Sequence, residues 1–497
     1  MVFYKETKFI VHSGSDRTKE SKKESKTMSK KLMGKKRMSL FLMFLLAITI
    51  LFGISQNAEA AGTKTIQLNK KSVTLEVGKK TTLKVKNAPK GKKITWKSNK
   101  KTVASVTSKG VVTAKKQGKA KITATVAKKK YSCTVTVKKI TLKNTQGKNT
   151  KDVDVLKELI VVQNAKGAYL STDLNDKDEY EWNKKGRLVA LKWWRRDLQG
   201  SISFAGLTEL KVLMCDECDL TSLDVTKNTK LEELDCRHNQ LNRLDVSKNT
   251  KLKELYCYWN KLDRLDVSKN LELVCLQCSY NELSSLNVNG NSKLEELFCD
   301  NNKLSSLDVS NNPKLKNLWC NSNLIGDLDV SRNTALEYLW CENNQLTTLD
   351  VSNNLELVWL QCGKNQISSL DASNHLKLEL LDCTSNQLSR LDVSNSLVLK
   401  NLQCSQNQLS SLDVSNNLSL GYLYCSCNQL NSLDVSNNLN LKELDCKSNQ
   451  LTSLDVTKNV LLEYLNCREN QLSSLDISNN QYLWGSVDCD NDVEVEY

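Results

Sequence analysis

Thirteen of the eighteen cysteines are spaced at a constant interval of 21 residues, from Cys215 to Cys467. Around each of them the sequence follows the pattern L-x-x-L-x-C-x-x-N-x-L-x-x-L-D-V-S-x-N, as in the unit from Leu336 to Asn354. A short period repeated with scarcely an insertion is typical of a solenoid, in which each unit forms one coil. No unit could bury its apolar face alone, so this period constrains the fold more than any other feature.

The length of the unit also predicts the shape of each coil. Twenty-one residues suffice for one turn of chain with one parallel strand at L-x-C, and they leave too few for a full helix on the outer side. We therefore expect a mainly β fold, with a parallel solenoid of about fourteen repeats over residues 188–497 and an extended or short 3₁₀ outer side. The Asn three residues after each Cys can satisfy turn amides that strand pairing leaves free.

The cysteine lattice and its period resemble those of bacterial leucine-rich-repeat surface proteins of the internalin J type. The resemblance covers about 290 residues and implies adhesion to a surface. Two departures are visible. An additional domain precedes the repeats, and the C-terminus (DVEVEY) shows no sorting motif or hydrophobic tail, so covalent wall attachment is not expected.

The first 60 residues have the features of a secretory signal peptide. A basic segment at 30–38 precedes an apolar run at 40–54, and Ala58-Glu59-Ala60 provides a small-residue cleavage site. An uncleaved anchor is the alternative, but the run is shorter than the roughly 20 residues that a spanning helix needs. Translation could start at Met1 or Met28. We expect a secreted protein, or one associated non-covalently with the cell surface, without a membrane span after cleavage.

Residues 61–139 contain short alternating strands, such as those at 73–77 and 120–126, separated by Gly and Lys-Asn turns. This spacing predicts an antiparallel β-sandwich. The order of Gly78, the ITWKSN segment around Trp96, Gly110 and Gly118 resembles the bacterial immunoglobulin-like domains of group 2. That resemblance implies a spacer or adhesive module rather than a catalytic one.

Charge is distributed very unevenly along the chain. Residues 61–139 contain 23 Lys, no Arg and one Glu, whereas residues 201–497 contain 24 Lys and Arg against 41 Asp and Glu. The lysines could simply be a solvated surface, or they could retain the protein on an anionic cell-wall polymer. Lysine suits that task because it is a mobile point charge. No base-reading motif is present, so a nucleic-acid partner is not expected.

Residues 140–187 are interpreted as a linker and a helical N-terminal cap. The apolar positions of KDVDVLKELIVVQNAKG predict a helix over 151–167. An atypical first repeat follows, with Trp193 near the cysteine position. Repeat arrays need such caps to cover the open end of the core.

The lattice cysteines are predicted to be buried free thiols. Neighbouring sulfurs would lie on adjacent parallel strands, whose parallel Cβ vectors disfavour disulfides. No cofactor or metal site is predicted, and a Cys236–His238 reactive pair is a remote alternative. The recurring Asp (Asp245, Asp266 and onward) is expected to form Asx-type hydrogen bonds, with a calcium-binding edge as the alternative.

Aromatic residues recur on strand positions that flank the inward Leu and Cys and therefore point onto the concave face. A contiguous exposed aromatic patch indicates ligand binding, although rings that pack only on one another are an alternative. The candidate ligand-binding residues are Tyr256, Tyr258, Phe298, Trp319, Tyr338, Trp340, Trp359, Tyr422, Tyr424 and Tyr464. Acidic neighbours that could attract a basic partner are Glu233, Asp235, Glu254, Glu296 and Asp300.

The sequence thus predicts a non-enzymatic binding or adhesion protein whose partner is a host or bacterial surface protein or a glycan. The alternative is a structural wall or matrix spacer without a specific ligand. Hydrolysis is a weak third hypothesis, because carboxylate pairs at glycosidase separation occur by chance in an Asp-rich lattice.

Overall fold

The computed structural model describes residues 65–483 and 485–497. The predicted signal peptide of residues 1–60 therefore lies outside the described residues. In the described part of the chain, no helix is both long and apolar enough to span a membrane.

The N-terminal domain is a β-sandwich of short strands. Its main layers are a four-stranded sheet in the order β2-β9-β8-β5 and a three-stranded sheet in the order β3-β7-β6, with β1 paired to β4. The strands are β1 (Gln67–Leu68), β2 (Ser72–Glu76), β3 (Lys80–Thr82), β4 (Val85–Lys86), β5 (Thr95–Ser98), β6 (Ala104–Val106), β7 (Val111–Ala114), β8 (Gly118–Val126) and β9 (Lys129–Lys138).

The alternation of the sequence places lysines outside and small apolar residues inside this sandwich. In β8, Lys119 and Lys121 are exposed while Ala120 and Ile122 are buried. The prediction of a wholly antiparallel sandwich is wrong at one pair, because β2 and β9 run parallel. These two strands are far apart in the sequence and share no tight turn, and only a tight hairpin requires antiparallel pairing.

The predicted helix forms, as α1 (Thr150–Lys166), and is bound firmly to the first coil. The Asn149 side chain caps its N-terminus by accepting from the backbone N–H of Asp152 (3.3 Å). The buried Asp152 carboxylate accepts from Arg187 Nε (2.8 Å) and from the Leu188 amide (2.9 Å). Gly78 of the sandwich has φ +84°, and a Cβ there would lie 2.6 Å from Asn164 of the helix, so this close approach requires glycine.

The remainder is a solenoid with one long sheet. Its sixteen strands run β10-β11-β13, then β15 to β26 in sequence order, then β28, and all pairs after β10–β11 are parallel. The strands are β10 (Tyr180–Trp182), β11 (Leu188–Lys192), β12 (Gln199–Ser203), β13 (Val212–Met214), β14 (Asp219–Asp224), β15 (Glu233–Asp235), β16 (Glu254–Tyr256), β17 (Cys275–Gln277), β18 (Glu296–Phe298), β19 (Asn317–Trp319), β20 (Tyr338–Trp340), β21 (Trp359–Gln361), β22 (Leu380–Asp382), β23 (Asn401–Gln403), β24 (Tyr422–Tyr424), β25 (Glu443–Asp445), β26 (Tyr464–Asn466), β27 (Ser474–Asp476), β28 (Val487–Asp488) and β29 (Glu494–Glu496).

Each coil contributes the same set of side chains to the core. In the unit from Leu336 to Asn354, all four leucines, Cys341 and Val351 are buried. No helix occurs among the described residues after α1. The outer side of the coils instead combines extended chain with hydrogen-bonded turns, such as those closed by Asn354 N–H to Val351 O (2.8 Å) and Leu357 N–H to Asn354 O (3.1 Å). Trp193 occupies the cysteine position of the first coil and packs on Phe204 with ring centroids 6.0 Å apart, which closes the core end as expected for a cap.

Candidate functional site

The concave face is built by the two outward positions of each three-residue strand. The central Leu of the strand, such as Leu339, is buried, so the residues three and one before each Cys point away from the core. The strands pair in register, which places Trp319 opposite Trp340 and Tyr338 opposite Trp359. Equivalent side chains on successive coils therefore contact one another.

Five of the ten predicted residues form two columns of contacting rings that lie side by side on the strand that carries both Tyr338 and Trp340. We term them the central aromatic cluster: Phe298, Trp319, Tyr338, Trp340 and Trp359. Phe298 and Trp319 are stacked with centroids 4.5 Å apart and an interplanar angle of 19°. Trp319 also meets Trp340 edge-on at 5.2 Å, and Tyr338 meets Trp359 edge-on at 5.3 Å. The cluster covers four successive strands, β18 to β21.

Exposure within the cluster increases towards its C-terminal end. Trp359 is 45% exposed, and Trp319, Tyr338 and Trp340 are half-buried. The prediction that Phe298 faces solvent is wrong, since it is 9% exposed beneath its stacking partner. Its role is therefore to support Trp319 rather than to contact a ligand.

The other five predicted residues lie apart from the cluster. Tyr256 and Tyr258 are separated from Phe298 by the strand β17, and β22 and β23 separate Trp359 from Tyr422. The Tyr424 hydroxyl donates to the Glu443 carboxylate. The remaining member, Tyr464, lies two strands beyond Tyr422. The predicted single stripe is thus four separate groups: Tyr256 with Tyr258, the central aromatic cluster, Tyr422 with Tyr424, and Tyr464 alone.

A further aromatic stack was missing from the predicted set. His238, Trp259 and Tyr280 occupy the second position after the Cys on three successive coils, and Trp259 stacks on both neighbours, at 5.7 Å and 4.2 Å. This position has φ between 50° and 57° in all thirteen lattice coils, a conformation that is unusual for bulky residues. The 21-residue spacing of these three residues was the signal in the sequence.

The five acidic neighbours differ in availability. Asp235 and Asp300 are buried, and Asp300 accepts from the Ser279 hydroxyl, which corrects the prediction that both would attract a partner. Glu233, Glu254 and Glu296 occupy the outward strand position three residues before the Cys. Among the described residues none of the three forms an ion pair with Lys or Arg.

Arg237 holds together a compact charged group beside Tyr258. Its guanidinium lies 3.5 Å from Asp235 and 3.6 Å from Asp216, donates to the Tyr258 hydroxyl at 3.0 Å and lies over the Tyr258 ring. Burial, and next the nearby Asp216 charge, raise the pKa of Asp235 to about 7. Burial also raises the pKa of Asp216.

The lattice cysteines are buried free thiols, as predicted. Burial raises the pKa of Cys236 well above its usual value, and the His238 ring is engaged with Trp259 and Tyr258. A low-pKa thiolate is what a nucleophilic cysteine requires, so the arrangement does not suit the Cys–His alternative.

The recurring aspartates form the Asx-type hydrogen bonds that the sequence predicted. Asp350 Oδ1, for example, accepts from the Ser352 amide at 2.9 Å, and this bond lowers the pKa of Asp350. Within the part of the chain that the structure describes, no group of three or more His, Cys, Asp or Glu side chains is arranged to hold a metal ion.

The fold and this concave face define the class: a bacterial immunoglobulin-like domain followed by a leucine-rich-repeat solenoid with a cysteine ladder. Residues 63–137 match the bacterial Ig-like domain (group 2). The functional domain of InlJ from Listeria monocytogenes, which includes a cysteine ladder, is 37% identical, with a TM-score of 0.60 over 62% of this chain and 68% of that one. The chain therefore belongs to the internalin J-like leucine-rich-repeat proteins.

Two more distant structures share the solenoid fold alone. A leucine-rich-repeat protein of Leptospira interrogans is 22% identical, with a TM-score of 0.52 over 61% of this chain and 82% of that one. The Arabidopsis receptor kinase HAESA, solved with a peptide hormone and a co-receptor, is 20% identical, with a TM-score of 0.54 over 70% of each chain. No curated protein matches the chain.

Proposed function

We propose that this protein is a secreted or surface-retained, non-enzymatic adhesion module that binds a protein partner through the central aromatic cluster. The observation that carries the proposal is the continuity of the cluster over four successive strands at the concave surface. Large amphipathic rings in a contiguous, partly exposed group are typical of interface hot spots.

The geometry of the rings favours a protein over a glycan. Sugar rings stack on open aromatic faces, but Trp319 is flanked by Phe298 on one side and by Trp340 on the other. A protein side chain can instead pack against ring edges and into the grooves between them. Glu254 and Glu296, which precede the centre of the cluster, favour a partner with basic residues beside its apolar anchor.

We further propose that the lysine-rich domain retains the protein on an anionic cell-wall polymer. Lys97, Lys119 and Lys121 are exposed on the outer side of the four-stranded sheet. Within residues 65–139, no lysine is ion-paired with a carboxylate. These charges are therefore available to an anionic polymer. Attraction between exposed charges of this kind is screened by salt.

The binding proposal is tested with the labelled full-length protein on host and bacterial cells. Trp319→Gln with Trp340→Gln should weaken binding at least about tenfold. Glutamine occupies the equivalent strand position at Gln277, Gln361 and Gln403, so the change is compatible with the fold. Tyr424→Gln, at the same strand position outside the cluster, is the matched control and should bind normally.

Treatment of the target cells separates the alternatives. Trypsin should abolish binding and periodate should not; the reverse result would identify a glycan partner. Unchanged binding by the Trp319 and Trp340 double variant would contradict the proposal and favour a structural spacer.

Retention by the lysines is tested separately, on immobilised teichoic acid. Lys→Gln at positions 97, 119 and 121 should lower the salt concentration needed for elution. Lys→Arg at the same three positions keeps the charge and should elute normally. Equal elution of both variants would show that these lysines are only a solvated surface.

A further inference from the structure

A row of exposed apolar side chains runs along the coils at a position remote in each unit from the concave strand. Each residue directly follows the buried polar residue that ends the L-D-V-S-x-N segment, and each is between 44% and 62% exposed. We term this row the leucine ridge: Leu355, Leu376, Leu397, Leu418, Leu439 and Val460. The exposed Val398, Leu461 and Tyr482 lie beside it, at the next position in their coils.

The fold does not require apolar residues at this position. In the preceding coils the same position holds polar or small residues and a single exposed leucine, Leu271. Those residues are Thr229, Thr250, Ser292, Pro313 and Thr334. Six successive apolar residues in the later coils are therefore a property of this surface, and contiguous exposed apolar surface of this kind marks an interaction site.

We propose that the leucine ridge is the contact surface of a homodimer, in which two copies pack their ridges antiparallel. Residues 201–497 contain 24 Lys and Arg against 41 Asp and Glu, so two copies repel each other over most of the solenoid. The centre of the ridge is free of that repulsion, because its flanking residues are uncharged. They are Asn395, Asn416 and Asn437 before the ridge, and Val398, Ser419 and Asn440 after it.

The spacing of the ridge also matches a second copy. Its residues lie one to a coil, and the coils are joined by strands about 4.8 Å apart, so the ridge of a second molecule presents apolar side chains at the same repeat. Antiparallel pairing about the midpoint between Leu397 and Leu418 would place Lys458 opposite Asn353. Like charges are not opposed in this arrangement.

The size of the ridge determines how tight this dimer should be. Six ridge residues and three exposed neighbours from each copy are fewer than the roughly 20–30 residues a side of a standard interface. The dimer should therefore be weak and reversible, with dissociation in the micromolar range.

Sedimentation velocity of the full-length protein, from about 1 to 100 μM, tests the proposal. The wild type should shift from monomer to dimer, and added salt should not weaken the dimer. Leu397→Thr with Leu418→Thr and Leu439→Thr should shift the midpoint at least about tenfold towards monomer. The melting temperature should stay unchanged, because threonine is native at this position in three earlier coils.

The matched control is Leu271→Thr, the same position outside the ridge, which should dimerise as the wild type does. A wild type that stays monomeric at 100 μM would overturn the proposal. So would a dimer that survives the triple substitution, or one that dissociates in salt, since the latter would identify association between the lysine-rich domain and the acidic solenoid.

Discussion

Most coils contain one asparagine in each of their two turns, but the two side chains are bonded differently. In the first turn, three residues after the Cys, Asn323 Nδ2 donates to the carbonyls of Cys299 and Cys320, and its Oδ1 accepts from the Leu304 amide at 3.0 Å. In the second turn, Asn333 Nδ2 donates to the carbonyls of Val309 and Asn312. Its buried Oδ1 has no hydrogen-bond partner in the described chain.

This difference explains where the chain tolerates substitution. The first-turn asparagine is unbroken from Asn239 to Asn470, whereas the second-turn row is interrupted by His375 and Ser396. His375 still bonds the Val351 carbonyl through Nε2 (3.1 Å), and Ala372 replaces the usual core valine of that coil. An asparagine that bonds with both of its polar atoms is harder to replace than one that uses only its amide nitrogen.

The most severe test of this comparison is Asn323→Ala in the first turn. It leaves the buried Leu304 amide without a partner and removes one of the two amide donors to each of the Cys299 and Cys320 carbonyls. We expect a loss of about 3 kcal/mol in the free energy of unfolding. Urea unfolding followed by circular dichroism measures the change. A loss below that of the equivalent second-turn change would contradict the proposed difference.

The equivalent second-turn change is Asn333→Ala. Only two carbonyls lose a donor, and the unpartnered Oδ1 is removed with the side chain, so we expect a loss of about 2 kcal/mol. The same urea titration compares the two variants directly, since both positions lie in the same coil and both side chains are buried.

Protonation of the carboxylates beside the two turns should change the stability of the protein in opposite directions. The raised pKa of Asp235, beside the first turn, means that the native state binds more protons than the unfolded chain between pH 4 and about 7. Stability should therefore fall as pH rises through this window.

Second-turn aspartates such as Asp350 and Asp329 have lowered pKa values, so their contribution to stability is lost as pH falls below 4. Stability should consequently be greatest near pH 4–5. Asp235→Asn should flatten the slope between pH 4 and 7 without altering the acid limb; an unchanged slope would assign it to other groups.

The smallest effect is expected from Asn333→Ser, which copies the residue found at Ser396. The Ser396 hydroxyl still reaches the Ala372 carbonyl at 3.4 Å, so we expect a loss below about 1 kcal/mol relative to wild type. A loss equal to that of Asn333→Ala would show that the serine is tolerated only beside Ala372.

The solenoid was predictable because one pattern repeats along most of the chain. The buried Leu, Cys and Val positions, the Asx bonds and the first-turn asparagines all follow from the 21-residue unit. The cap was predictable in part, since Trp193 occupies the cysteine position. The parallel pairing of β2 with β9 was not, because no local signal links two strands so far apart.

The candidate binding surface depended more on tertiary structure. The sequence identified which rings point onto the concave face, but not that Phe298 is covered by Trp319 or that Asp235 is buried beside Arg237. It also did not separate the ten aromatic residues into four groups. Exposure depends on neighbours from adjacent coils, whereas the direction of a side chain depends only on its own position in the repeat.

The sequence by itself therefore determined the coil, its core and the direction in which each side chain points, because every coil meets nearly identical neighbours. Only the tertiary structure decided which outward side chains remain accessible. Accessibility depends on the size and charge of the particular residues stacked above and below, and these differ from coil to coil.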